Sequence, residues 1–163
     1  MIIRGQIGPS NLAYFDCRIK GTDPPFSITA TLAMDTGASL TNLMHRDISG
    51  LNLDYTKLEK GGKARGIGGT RTIYWLKGVT ITFADSDPPN HEEVLDRVAV
   101  FKTRTKNAVR EAELHALPSL LGIDVLRKYT ITFPGSGAMG SRVILEQAQS
   151  ELPIRNRQSN ANQ

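Results

Sequence analysis

A single cysteine, Cys17, stands among 163 residues. That excludes an intrachain disulfide and any cysteine-based zinc cluster. The three histidines, His45, His91 and His115, are scattered along the chain. None has a neighbour at metal-ligand or nucleophile spacing, so each reads as a surface histidine, and no metal or cofactor is expected. Aromatic residues make up 6%, too sparse for a base-stacking platform. No apolar run approaches the roughly 20 residues that a membrane-spanning helix needs, so no membrane segment is expected. Met1-Ile2-Ile3-Arg4-Gly5-Gln6 lacks the apolar stretch of a signal peptide. Together these absences predict a reducing, cytoplasmic setting, with export of a longer precursor left open.

What is present is an ordinary globular composition, 39% hydrophobic and 22% charged. At 17.8 kDa the chain is long enough for one domain with a real core. We place that domain at residues 1–148. The stretch 149–163 is polar and rich in Asn and Gln, and reads as a disordered tail. Net charge is +4 and the isoelectric point about 9.4. Apart from Lys102, Arg104 and Lys106 the basic residues are dispersed. They read as a solvated basic surface, and no nucleic-acid partner is expected.

Most of the chain reads as β. Tyr14 to Ile19 is strand-like, and Gly21-Thr22-Asp23-Pro24-Pro25 is turn chemistry. Phe26 to Met34 then alternates. Phe26, Ile28, Ala30, Leu32 and Met34 share one face, and Ser27, Thr29 and Thr31 the other, which predicts a hairpin. A helical turn is expected near His45 to Gly50. Lys60 to Thr70 is glycine-rich. Two strand-like runs follow, Arg71 to Leu76 and Val79 to Phe83, then a polar loop from Asp85 to His91 and a strand from Arg97 to Phe101. Asn107 to Leu117 reads as a helical turn or a long loop. Leu120-Leu121-Gly122 begins as a strand, with Asp124 a candidate cap for a short helix. Tyr129 to Phe133 and Arg142 to Glu146 read as strands around a glycine-rich turn.

The predicted hairpin ends on Asp35, followed at once by Thr36, Gly37 and Ala38. A carboxylate at the end of an apolar strand is costly unless it is used or paired. Asp, Thr and Gly are also ordinary turn residues, so the tripeptide alone is compatible with a plain turn. Its context is more specific. Leu32-Ala33-Met34-Asp35-Thr36-Gly37-Ala38-Ser39 resembles the active-site strand and loop of retropepsins and their cellular relatives. Leu120-Leu121-Gly122-Ile123-Asp124-Val125-Leu126 resembles the second motif of that family, which precedes its single helix. Arg65-Gly66-Ile67-Gly68-Gly69-Thr70 lies between them, where the family has its flap.

The resemblance covers most of residues 13 to 146. It implies an all-β fold, a closed β-barrel with one short helix in its C-terminal half, active as a two-fold homodimer. It implies an aspartic endopeptidase with Asp35 as the catalytic residue and an extended polypeptide as substrate. Thr36, Gly37 and Ala38 would form the active-site loop, and Gly66, Ile67, Gly68 and Gly69 the flap. Pro118 and Leu120 would line substrate subsites, while Leu121, Gly122 and Asp124 would be structural, Asp124 tying the helix to the loop. The chemistry needs two facing carboxylates that share a proton, one as general base on water and one as acid. This chain has one Asp-Thr-Gly, so the second must come from another copy. Ser39 and Leu40 follow the motif as in the cellular relatives, where viral enzymes carry an acidic pair. The segment Asp85 to Glu93 and the loop Thr103 to Ala116 are longer than in a minimal viral protease.

Gly135-Ser136-Gly137-Ala138-Met139-Gly140 is formally a GxGxxG run. Too little chain follows for the rest of a dinucleotide-binding unit, and a hairpin turn fits better. Ser119 and Ser136 have no partners for a triad. Two other readings stand beside the peptidase: a retropepsin-like fold that binds peptides or dimerises with little turnover, and an unrelated basic barrel that binds nucleic acid.

Overall fold

The computed structural model describes residues 1–8, 11–66, 69–102, 112–113, 116–133 and 142–147. The polar tail, the GxGxxG run and most of the Asn107 to Leu117 segment lie outside them.

The alternating pattern of Phe26 to Met34 folds as expected. Strand β2 (Ala13–Thr22) and strand β3 (Pro25–Met34) form an antiparallel hairpin that turns at Asp23-Pro24. Phe15, Cys17 and Ile19 lie across from Leu32, Ala30 and Ile28. All face the core, while Asp16, Arg18, Ser27 and Thr29 face out. Cys17 is buried among apolar side chains, and burial, then the nearby Asp16, pushes its thiol well above the ordinary range.

Beyond the hairpin come β4 (Asn42–Leu43), the one-turn helix α1 (His45–Ile48) and a 3-10 turn (Ser49–Leu51). Strands β5 (Lys60–Gly66) and β6 (Gly69–Phe83) make a second hairpin. The two strands expected at Arg71–Leu76 and Val79–Phe83 are in fact one. Gly78 divides them in sequence but sits inside β6 with a positive φ of 55°, a conformation open to glycine at little cost. Strand β7 (Ser86–Asp87) lies within the expected polar loop, and β8 (Glu92–Phe101) starts well before the predicted Arg97. β9 (Ser119–Leu121), helix α2 (Ile123–Leu126), β10 (Tyr129–Thr132) and β11 (Arg142–Gln147) complete the described chain. β11 pairs antiparallel with β10, so no βαβ unit surrounds the GxGxxG run.

Strand β1 (Ile2–Ile7) was not visible in the sequence. It pairs with β11 over Ile2 to Gln6 and joins that end of the sheet to β2. Gly5 permits this crossing: a Cβ there would come within 2.7 Å of the Phe15 ring, the Tyr14 carbonyl and Val143.

The sheet runs β2-β3-β9-β4-β8-β6, and β6 pairs back onto β2 through Cys17–Lys20 and Thr80–Phe83. These six strands therefore close a barrel. Phe15, Ile19, Leu32, Leu43, Leu76, Ile81, Phe83 and Leu121 fill it. No helix among the described residues is long and apolar enough to cross a membrane.

At one end, His91 departs from the surface role expected of it. Its ring stacks on Phe83, and its Nε2 lies 3.1 Å from the Tyr129 hydroxyl and 3.4 Å from Glu93 Oε1. Glu93 is 8% exposed. Burial raises its affinity for a proton, but hydrogen bonds from Lys128 and Tyr129, with the Lys128 charge, outweigh that and hold it below the usual range.

Candidate active site

Asp35 is the first residue beyond β3, and the ladder extends through it: its N–H donates to the Leu121 carbonyl at 3.1 Å. Its carboxylate is half-buried, with Oδ1 accepting the Gly37 N–H at 2.8 Å. The Ala38 N–H donates to the Asp35 carbonyl at 3.2 Å and closes the turn. Thr36 and Gly37 are exposed, Ala38 half-buried. Asp35 thus stands at a surface with one carboxylate oxygen fixed by the backbone, as a group that must meet a ligand from outside requires.

The loop is pinned from the far end of the chain. β9 lies between β3 and β4, parallel to the first (Ala33 opposite Leu120, Met34 opposite Leu121) and antiparallel to the second (Asn42 opposite Leu120). The Ile123 N–H donates to the Ala38 carbonyl at 2.8 Å. The Thr41 N–H lies 2.9 Å from both Asp124 carboxylate oxygens, and the Thr41 hydroxyl donates to Asp124 Oδ1 at 2.7 Å. The Gly122 N–H in turn donates to the Thr41 hydroxyl at 3.0 Å. Gly122, not Asp124, stands at the N-cap of α2; the Asp124 carboxylate accepts the first-turn Val125 N–H at 3.0 Å and is turned to Thr41. Gly122 is held against backbone, since a Cβ would fall 2.5 Å from the Leu40 carbonyl carbon and 2.7 Å from the Thr41 nitrogen.

A second net lies beneath. The Ser119 hydroxyl, fully buried, donates to Asp47 Oδ2 at 2.5 Å and accepts the Met44 N–H at 2.9 Å. It locks α1 to β9. Sequence reading treated Ser119 only as a failed triad member and did not single out Thr41. Both bonds span more than 70 positions of sequence, so local pattern carried no signal for them.

The glycine-rich segment forms the β5–β6 hairpin, whose last described pair is Gly66 opposite Gly69. The expected flap residues Ile67 and Gly68 lie outside the described residues. Below the hairpin, one cross-strand row of side chains faces away from the barrel core: Trp75, Ala99, Asn42, Leu120 and Ala33. Asp35 follows Ala33 by two residues and continues that face. Leu120 and the preceding Pro118 are half-buried. The structure thus brings Asp35, Leu120 and the base of the glycine-rich hairpin to one side of the sheet. Leu121, Gly122 and Asp124 lie behind the loop, as its support.

No protein-family model matches the chain, and no curated protein matches it. Among solved structures it is similar to a retropepsin-like aspartic protease from Rickettsia conorii. The match covers 89% of this chain and 90% of that one, at a TM-score of 0.51 and 17% identity. The chain has the retropepsin-like fold. Among the described residues no group of three or more His, Cys, Asp or Glu side chains could hold a metal ion.

Proposed function

We propose that this protein is an aspartic endopeptidase in which Asp35 of two copies of the chain activates a water molecule. The observation that carries the reading is Asp35 itself. It is half-buried, its Oδ1 accepts the Gly37 N–H at 2.8 Å, and its loop is anchored to Leu121–Asp124 within a retropepsin-like fold. One carboxylate takes a proton from water as the other donates one to the scissile carbonyl, and the pair titrates as a unit. Leu40, in the loop, and Ile123, bonded to it, are large exposed apolar side chains. They offer a surface for a second copy, which would bring its own Asp35. An extended peptide would lie across Leu120 beneath the glycine-rich hairpin, whose closure excludes water.

The test is Asp35→Asn. Cleavage of a peptide library should fall by about 10^3-fold or more, with an unchanged melting temperature. Cleavage at the parent rate by pure Asp35→Asn protein sinks the reading. Sedimentation should show a dimer, favoured by a peptidomimetic with a hydroxyl in place of the scissile carbonyl. A strict monomer under both conditions would leave Asp35 without its partner.

A further inference from the structure

Basic residues are spread along the sequence, but acidic residues are not spread to match them. The stretch from Lys60 to Phe83, which forms the β5–β6 hairpin, holds five of the chain's 20 Lys and Arg and none of its 16 Asp and Glu. The rest of the chain is therefore close to neutral. One of the five, Lys77, is paired in place: its Nζ lies 2.6 Å from Glu59 Oε2. Lys60, Lys63, Arg65 and Arg71 have no acidic partner among the described residues. Strand alternation sets them on both faces of the hairpin. Arg71 stands opposite Ala64, on the face that Ile73 and Trp75 carry on to Ala99, Leu120 and Ala33 beside Asp35. Lys63 and Arg65 stand opposite Thr72 and Thr70 on the reverse face, and with Lys60 they are exposed. Like charges crowded on one hairpin repel, and mixed signs would keep it as soluble without that cost. The arrangement fits an anionic visitor better than it serves the fold.

We infer that the β5–β6 hairpin is a cationic arm that recruits acidic stretches of the polypeptide substrate, segments rich in Asp and Glu that flank the residues held at Asp35. It rests on the peptidase reading above and names a substrate class. Nucleic acid is also anionic, but binding single strands takes exposed aromatic rings for the bases to stack on. The hairpin's three aromatic side chains, Tyr74, Trp75 and Phe83, are all buried. Carboxylates need only the exposed cations. Attraction of this kind is screened by salt and acts on substrate capture, so it lowers KM and leaves kcat nearly as it was.

The experiment uses the full chain. A cleaved octapeptide is found in a mixture library and then extended with a flank of Glu, of Gln or of Lys residues. At low salt the Glu flank should raise kcat/KM about tenfold over the Gln flank, through KM, and the Lys flank should lower it. The gain should shrink to less than about twofold near 0.5 M salt. The double variant Lys60→Glu with Lys63→Glu should lose the gain, and Lys60→Arg with Lys63→Arg should keep it. Melting temperatures check that both variants fold. Equal rates for the Glu and Gln flanks in the parent, or a gain that survives the charge reversal, overturn the inference alone. So does a single-stranded oligonucleotide that blocks cleavage of the Glu-flanked peptide more strongly than a polyglutamate of equal charge, which would assign the hairpin to nucleic acid. A parent that cleaves no library member overturns both this inference and the peptidase reading.

Discussion

The Asp35 loop and the glycine-rich hairpin are built in opposite ways. The loop is short, and residues 35 to 41 are held at Asp35, Ala38 and Thr41 by bonds from Leu121, Gly122, Ile123 and Asp124. The hairpin is long: β5 pairs only with β6 among the described residues, β6 runs on into the barrel beside β8 and β2, and Gly62 has open space on its side-chain face. Its pairing also shifts register between Lys60 and Lys63. One region fixes a reactive group before any ligand arrives. The other holds few contacts that its movement would break.

Gly122→Ala should break the contrast most. Its Cβ would push into the backbone of Leu40 and Thr41, which no rotamer change relieves. The variant should lose about 3 kcal/mol of stability by denaturant unfolding, and activity with it. Thr41→Val keeps shape but removes the hydroxyl that bridges Asp124 and Gly122. A loss of about 2 kcal/mol is expected, with a fall in kcat larger than any rise in KM if the loop acts by positioning Asp35.

A third region serves as a control. Glu93, with Lys128, Tyr129 and His91, lies apart from both. Its carboxyl group is held below the usual range, so the stability it contributes is present above its unfolded value and lost as pH falls through the folded one. Glu93→Gln should flatten the decline of melting temperature below about pH 4.5, the ordinary glutamate value. It should leave the effects of Gly122→Ala and Thr41→Val unchanged. The smallest effect belongs to Gly62→Ala. With nothing within 4 Å of the new Cβ, the change in melting temperature should correspond to no more than about 0.5 kcal/mol. A large loss there would show that the hairpin is held as tightly as the loop.

The sequence carried the parts of this site that depend on local pattern. The alternation of Phe26 to Met34 placed β3, and the tripeptide after it placed Asp35. Leu120-Leu121-Gly122 and the glycine-rich run pointed to β9 and the second hairpin. What stayed hidden depends on distant pairing. β1 reads poorly because Arg4, Gly5 and Gln6 interrupt its alternation, and Gly5 is there for the close passage of Phe15 and Val143. The tie from Asp124 to the loop was expected, but its partner Thr41, 83 positions away, was not. His91 looked exposed because Phe83, Glu93 and Tyr129 surround it only in the folded chain.

The position of β9 between β3 and β4 also has a consequence for the order of events in the cell. A ribosome releases Asp35 and its loop long before it releases Leu121, Gly122 and Asp124, which supply the loop's anchoring bonds. Until that late segment pairs between β3 and β4, the Asp35 loop holds only its local bonds, from Gly37 N–H and Ala38 N–H to Asp35. Such long-range closure is slow compared with local hairpins. The anchorage of the Asp35 loop is therefore among the last parts of the fold to be completed.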